Sequence, residues 1–299
     1  MLQTFDERNR DLVVGIDDRL VHRDAAGVSP FDSVVQGGDA VWEGLRLHHG
    51  RIFKLAEHLA RLRRSAQALA FSTIPSDAEI TERLRAVLAA NAMTDGVHIR
   101  LTLTRGVKIT SGMDPRLNQS GPTLIVLAEF KPPVYADTGI TLVTSSVRRH
   151  RPDSLDPRIH HNNLLTSILA KIEANVAGAD DALMLDDRGF VAETNATHVF
   201  HAAGGVLRTS TTRACPEGIT RETILELCAA SALPVEVGDF SLTQVYTADE
   251  VFVTGTMGGL TPVLAVDGRT IGTGRPGPLT AGLSAGYAAR TATEGTLVV

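Results

Sequence analysis

Apolar and polar positions alternate most sharply where Val97, Ile99, Leu101 and Leu103 interleave with His98, Arg100, Thr102 and Thr104. A period of two predicts a strand with one face in a core and the other a polar wall. Residues 39–46 predict an earlier strand, His49-Gly50 a turn, and residues 51–54 a returning strand. Leu55, Leu59, Leu62, Ala66 and Leu69 then recur at helical spacing, which leaves Arg61, Arg63 and Arg64 off the buried stripe. The period repeats over residues 79–91 through Ile80, Leu84, Val87 and Leu88. After the apolar strand Thr123–Phe130, Lys131-Pro132-Pro133 breaks the pattern and predicts a boundary between a domain at 1–132 and another at 133–299.

Beyond that boundary the pattern predicts a strand at 140–147 and a helix whose buried stripe is Leu165, Ile168, Leu169, Ile172 and Val176, stopped by Gly178. Short strands at 182–185, 190–193 and 197–201, a turn at Gly204-Gly205 and helices at 220–230 and 280–293 complete the chain. The fold class is therefore α/β, a smaller N-terminal α+β domain followed by a larger mixed one. With 299 residues and 43% hydrophobic content there is ample material for two cores. A net charge of −5, with 29 basic residues dispersed, speaks against nucleic acid as a partner. Cys215 and Cys228 make neither a metal cluster nor a disulfide framework, so a reducing compartment and no metal are expected. No charged-then-apolar leader opens the chain and no apolar run approaches ~18 residues, which sets the expectation of a cytoplasmic protein with no membrane partner.

Five stretches carry candidate chemistry. In Glu57-His58-Leu59-Ala60-Arg61-Leu62, the Arg61 guanidinium fork suits two phosphate oxygens, although such a residue alone reads as a solvated helix arginine. In Pro216-Glu217-Gly218-Ile219-Thr220-Arg221, Gly218 permits close backbone approach, and the Ile219 and Thr220 amides at a helix start can hold an anion; alone it is an ordinary Thr cap. The others are Glu193-Thr194-Asn195-Ala196-Thr197, the glycine-rich Thr254-Gly255-Thr256-Met257-Gly258-Gly259-Leu260-Thr261-Pro262, and His160-His161-Asn162-Asn163-Leu164-Leu165.

Taken together and in this register, the five resemble the fold-type IV pyridoxal-phosphate (PLP) aminotransferases, the branched-chain and D-amino-acid enzymes. The resemblance implies a phosphate site of Arg61, Thr197, Thr256 and the backbone at Gly218, Ile219 and Thr220, with Ala196 beside it. It also implies Glu193 opposite the pyridine nitrogen, where a carboxylate keeps that nitrogen protonated. Trp42, His98, Arg100 and Met257 would line the substrate side. The resembled proteins are homodimers with PLP between their domains, and they exchange amino groups between amino acids and 2-oxo acids through pyridoxamine phosphate (PMP). Trp42 and apolar surroundings suit a branched-chain or apolar substrate. Thr194 departs from the usual glycine and His198 from the usual asparagine.

The largest departure is at the Schiff-base lysine, whose place is taken by His160. The chain has four lysines, Lys54, Lys108, Lys131 and Lys171. Lys171 lies eleven residues on, about 16 Å along a helix, and roughly 120° off the stripe, facing solvent. Histidine makes no stable Schiff base, but a neutral imidazole moves protons near neutral pH. Three readings follow: a transaminase with noncovalent PLP and His160 or His161 as proton shuttle, a PLP-binding protein without turnover, and a lyase of the aminodeoxychorismate type.

Overall fold

The computed structural model describes residues 3–135 and 138–299, which divide into two compact units. The first holds the described residues up to Pro132 together with Ile159–Asn163 and Thr291–Val299. The second holds Pro133–Arg158 and Leu164–Arg290. The segment carrying His160 is thus a short excursion of the later chain that packs with the N-terminal elements.

Among its described residues the first unit contains a seven-stranded antiparallel sheet, in the order Thr296–Leu297, Arg51–Ile52, Ala40–His48, Val97–Thr104, Thr123–Phe130, Val13–Ile16 and Arg19–His22. Val97, Ile99, Leu101 and Leu103 are fully buried, as the alternation requires, and pack with Leu62, Leu84 and Leu88 of helices Leu55–Ala68 and Asp77–Ala90. The second helix starts at Asp77 because Ser76 and Glu79 form a reciprocal capping box. The returning strand is only Arg51–Ile52, since Lys54 adopts a left-handed conformation (φ +50°) and opens the next helix.

One expectation for this unit needs correction. Arg61 is not off the buried face: only 6% of it is exposed. The polar wall on the second face of Val97–Thr104 is a covered one, with Thr102 and Thr104 buried and His98 and Arg100 half-buried.

In the second unit a nine-stranded mixed sheet runs, among the described residues, Val235–Val237, Val206–Thr209, His198–Ala203, Glu250–Gly255, Gly259–Val266, Ile140–Thr144, Asp181–Leu185 and Val191–Thr194, with Arg269–Thr270 alongside Gly259–Val266. The strand expected at 140–147 stops at Thr144, beyond which Ser145 Oγ (2.6 Å) and the Ser146 amide (2.8 Å) donate to the Glu173 carboxylate. Helix Leu165–Val176 forms where the period places it, but facing the other way. It packs through Ala170 and Ala174, and its apolar stripe is left outward, with Ile168, Leu169 and Ile172 about half exposed and Val176 85% exposed. Small residues allow the helix to sit close on its sheet, which periodicity alone does not reveal. Lys171 is half-buried rather than solvated, and its ammonium donates to the Asp180 carbonyl. Cys215 and Cys228 are free and buried. Among the described residues no helix is long and apolar enough to cross a membrane.

Candidate active site

His160 is held in the first unit by strand-like pairing. The Trp42 amide donates to the His160 carbonyl (3.0 Å), the Asn162 amide donates to the Ala40 carbonyl (2.9 Å), and Val41 faces His161 as an antiparallel bridge. The His160 amide donates to Ser65 Oγ (3.0 Å) on helix Leu55–Ala68. Its ring stacks on Trp42 with centroids 4.3 Å apart.

The Nδ1 atom of that ring lies 2.5 Å from the Trp42 carbonyl oxygen and 3.5 Å from Glu43 Oε1. A carbonyl only accepts, so Nδ1 carries the hydrogen, and in the neutral ring Nε2 carries the lone pair. Burial, followed by the Arg61 cation, lowers the His160 pKa below the ordinary histidine value, and Glu43 only partly opposes this. His160 is therefore a neutral imidazole near pH 7, with Nε2 as its basic atom. His161 is different. Its Nδ1 accepts from the Asn163 amide (3.2 Å) and closes a local turn, while Trp42 Nε1 donates to its carbonyl (3.1 Å).

Beneath His160 lies a buried ionic cluster. Glu43 is fully buried; Arg61 Nε and Nη2 donate to its two oxygens at 2.9 and 2.6 Å, and His58 Nδ1 lies 2.7 Å from Oε2. Burial opposes ionisation of Glu43, but Arg61 and His160 outweigh it and hold the carboxyl well below the usual range. Two Arg61 nitrogens are thus engaged by Glu43, a partner that the phosphate reading of Arg61 did not include. Arg100 lies over the Trp42 ring (3.9 Å) and its Nη2 donates to Asn162 Oδ1 (2.6 Å). His98, directly across the sheet from Arg46, is pushed down to about 3 by burial and by the cations Lys131, Arg46 and Arg100, and is neutral. The structure thus gathers His160, His161, Trp42, Arg61 and Arg100 around one short segment.

In the second unit another group converges. Glu193 is buried and paired with Arg149 Nη2 at 2.7 Å; Arg149 Nε donates to the Ala214 carbonyl (3.2 Å) and Nη1 to Ser167 Oγ (3.2 Å). Thr194, in the place of the usual glycine, organises the turn that follows, its hydroxyl accepting from the Ala196 and Thr197 amides (3.1 and 2.9 Å) and meeting Thr197 Oγ1 at 2.7 Å. The Ala196 amide is accordingly committed within the turn. His198 lies across the sheet from Thr254, which brings Thr197 to within 3.2 Å of a Cβ placed on Gly255. His198 Nε2 is 2.8 Å from the Pro216 carbonyl, and a Cβ on Gly218 would lie 2.3 Å from the ring. Glycine is therefore required at 218 by the imidazole packed on it.

Gly218 is the N-cap of helix Ile219–Ala230, which has no side-chain cap, so the Ile219 and Thr220 amides open the helix as candidate anion donors. Thr254 Oγ1 is buried without a hydrogen-bond partner, at the start of the turn carrying Thr256 and Met257. An uncapped helix start, a threonine-lined turn and an unsatisfied buried hydroxyl in one neighbourhood fit an anionic group such as a phosphate.

Glu43, His58, Ser65 and Arg149 were missed in the sequence reading. For Glu43 the signal was present: it falls in phase with Val41, Leu45 and Leu47, all fully buried, so alternation alone puts this carboxylate inside. A buried acid requires a cation, and His58, Arg61 and Ser65 share one face of the next helix at three- and four-residue spacing.

A family model described as amino-transferase class IV matches residues 40–266. Branched-chain-amino-acid aminotransferase-like protein 2 of Arabidopsis thaliana is 54% identical over 280 residues, covering 93% of this chain and 50% of that protein. This chain thus spans about half the length of that relative. A putative branched-chain-amino-acid aminotransferase of Methanocaldococcus jannaschii is 38% identical over 263 residues, with 88% and 90% covered. Among solved structures, a branched-chain amino acid aminotransferase of T.th. with pyridoxamine 5'-phosphate superposes with a TM-score of 0.88 at 30% identity, covering 94% of both chains.

Proposed function

Because this chain belongs to the class IV aminotransferases, we propose that it moves amino groups between a branched-chain or apolar amino acid and a 2-oxo acid, using PLP without a Schiff-base lysine. Bound PLP would supply an electron sink for the substrate's α-carbon and a site to store the amino group as PMP. The Gly218–Thr220 helix start, Thr197 and Thr256 would hold its phosphate, and Glu193, fixed by Arg149, would face its ring nitrogen.

The observation that carries the reading is the state of His160. A neutral ring with its hydrogen on Nδ1 and its lone pair on Nε2 is equipped to take a proton and return it. Nε2 has no hydrogen-bond partner among the described residues. Two of the four lysines support the same reading, their ammonium groups being engaged by backbone carbonyls: Lys108 donates to that of Gly112 (2.5 Å) and Lys171 to that of Asp180. Trp42, in contact with both Arg100 and His160, offers an apolar wall with a cation beside it for a substrate carboxylate. The outward stripe of helix Leu165–Val176 supports a homodimer, since exposed apolar faces of this kind are usually covered by a partner.

The test is borohydride reduction of the PLP-loaded protein followed by peptide mapping, alongside exchange of the α-proton of leucine in deuterated water. Cofactor retention, no pyridoxyl-lysine, and exchange that disappears in His160→Ala are expected. A pyridoxyl group on any of the four lysines overturns the lysine-free reading. Cofactor retention with no exchange for any amino acid favours a binding protein without turnover.

A further inference from the structure

We propose that Glu43 is the positioning residue for His160: with the Trp42 carbonyl it holds the imidazole hydrogen on Nδ1, and it stabilises the imidazolium formed when Nε2 takes up a proton. The proposal rests on the proton-carrier reading of His160 and adds to it a buried electrostatic partner.

The geometry is that of a carboxylate behind a histidine. Glu43 Oε1 stands 3.5 Å from Nδ1, the hydrogen-bearing atom of the ring, and the Trp42 carbonyl stands 2.5 Å from the same atom. Glu43 is fully buried, so its field at His160 is little screened by water. Arg61 grips both carboxylate oxygens and fixes their orientation, and His58 fills a further site on Oε2.

Among the described residues, the charged groups that act on His160 pull in opposite directions: Arg61 on helix Leu55–Ala68 disfavours the protonated ring, whereas Glu43 on strand Ala40–His48 favours it. Without Glu43 the ring would sit beside an uncompensated buried guanidinium, and proton uptake at Nε2 would create a second adjacent cation. With Glu43 present the pair is neutral before uptake. Such a balance keeps His160 unprotonated at rest while leaving its protonated form accessible.

Nitrogen-15 NMR of histidine-labelled protein, free of cofactor, reads this directly, with the His160 signals assigned by their loss in His160→Gln. The expected wild-type result is a protonated Nδ1 and an unprotonated Nε2. Glu43→Gln should lower the His160 titration midpoint further and slow α-proton exchange in the loaded protein by roughly tenfold or more. Arg61→Gln should move the midpoint the opposite way, and this second variant tests the coupling if Glu43→Gln fails to fold. A wild-type ring protonated on Nε2, or a His160 midpoint indifferent to both substitutions, overturns the proposal. If instead His160→Ala retains exchange, the proton-carrier reading fails while the NMR result still stands, so the two failures are distinguishable.

Discussion

Replacing Arg61 with methionine removes the cation from a fully buried carboxylate while keeping most of the side-chain volume. In the native fold Glu43 receives two Arg61 bonds, at 2.9 and 2.6 Å, and its pKa lies well below the usual carboxylate range. Breaking a buried pair by removing one partner costs about 3–5 kcal/mol. With a urea slope of roughly 2 kcal/mol/M, the unfolding midpoint should fall by about 2 M. Trp42 is the chain's single tryptophan and its ring stacks on His160, so its fluorescence reports unfolding of this cluster.

The pH dependence should reverse as well. In the wild type the folded Glu43 pKa is depressed, so its contribution is fully present above the unfolded value of about 4.3 and is lost as pH falls through the folded value. In Arg61→Met burial dominates and the folded pKa rises above the unfolded one. The destabilisation should then be smallest below about pH 4.3 and grow as pH rises through the new value. Adding Glu43→Leu should recover most of the loss, because an apolar pair leaves no buried charge. A loss under about 1 kcal/mol at pH 7.5, or the same loss at every pH, would refute the electrostatic account of this cluster.

His160→Lys should restore a covalent cofactor link and speed α-proton exchange, seen as a changed cofactor absorbance. In the wild type, the acid limb of exchange should lie below the ordinary histidine value of about 6.5, because burial and Arg61 lower the His160 pKa; a limb above that value contradicts the assignment. Gly218→Ala places a Cβ 2.3 Å from the His198 ring, which should cost about 1–3 kcal/mol in thermal unfolding and weaken PLP binding measured by dialysis. Glu193→Gln should leave PLP bound but slow amino transfer by at least about tenfold, measured as the half-reaction with leucine.

Much of the first unit was legible because the relevant physics is local. Val97–Thr104 alternates, Asp77–Ala90 repeats at helical spacing behind a Ser76–Glu79 box, and strand and helix interiors follow directly from those periods. The five motifs were legible as candidate site chemistry for a related reason, since turns, helix starts and forked cations show in residue type and spacing. Which face of an element is covered is not local. The apolar stripe of Leu165–Val176 points outward because Ala170 and Ala174 fit closer to the sheet, and Arg61 lies inward because Glu43 on another element requires a cation. The pairing of Ile159–Asn163 with the start of Ala40–His48 joins residues more than a hundred positions apart. That contact sets the tautomer of His160. Residue order, through the resemblance, is enough to put a histidine where a lysine is expected; which nitrogen of its ring carries the proton depends on a carbonyl and a carboxylate contributed by a distant strand, which residue order does not reveal.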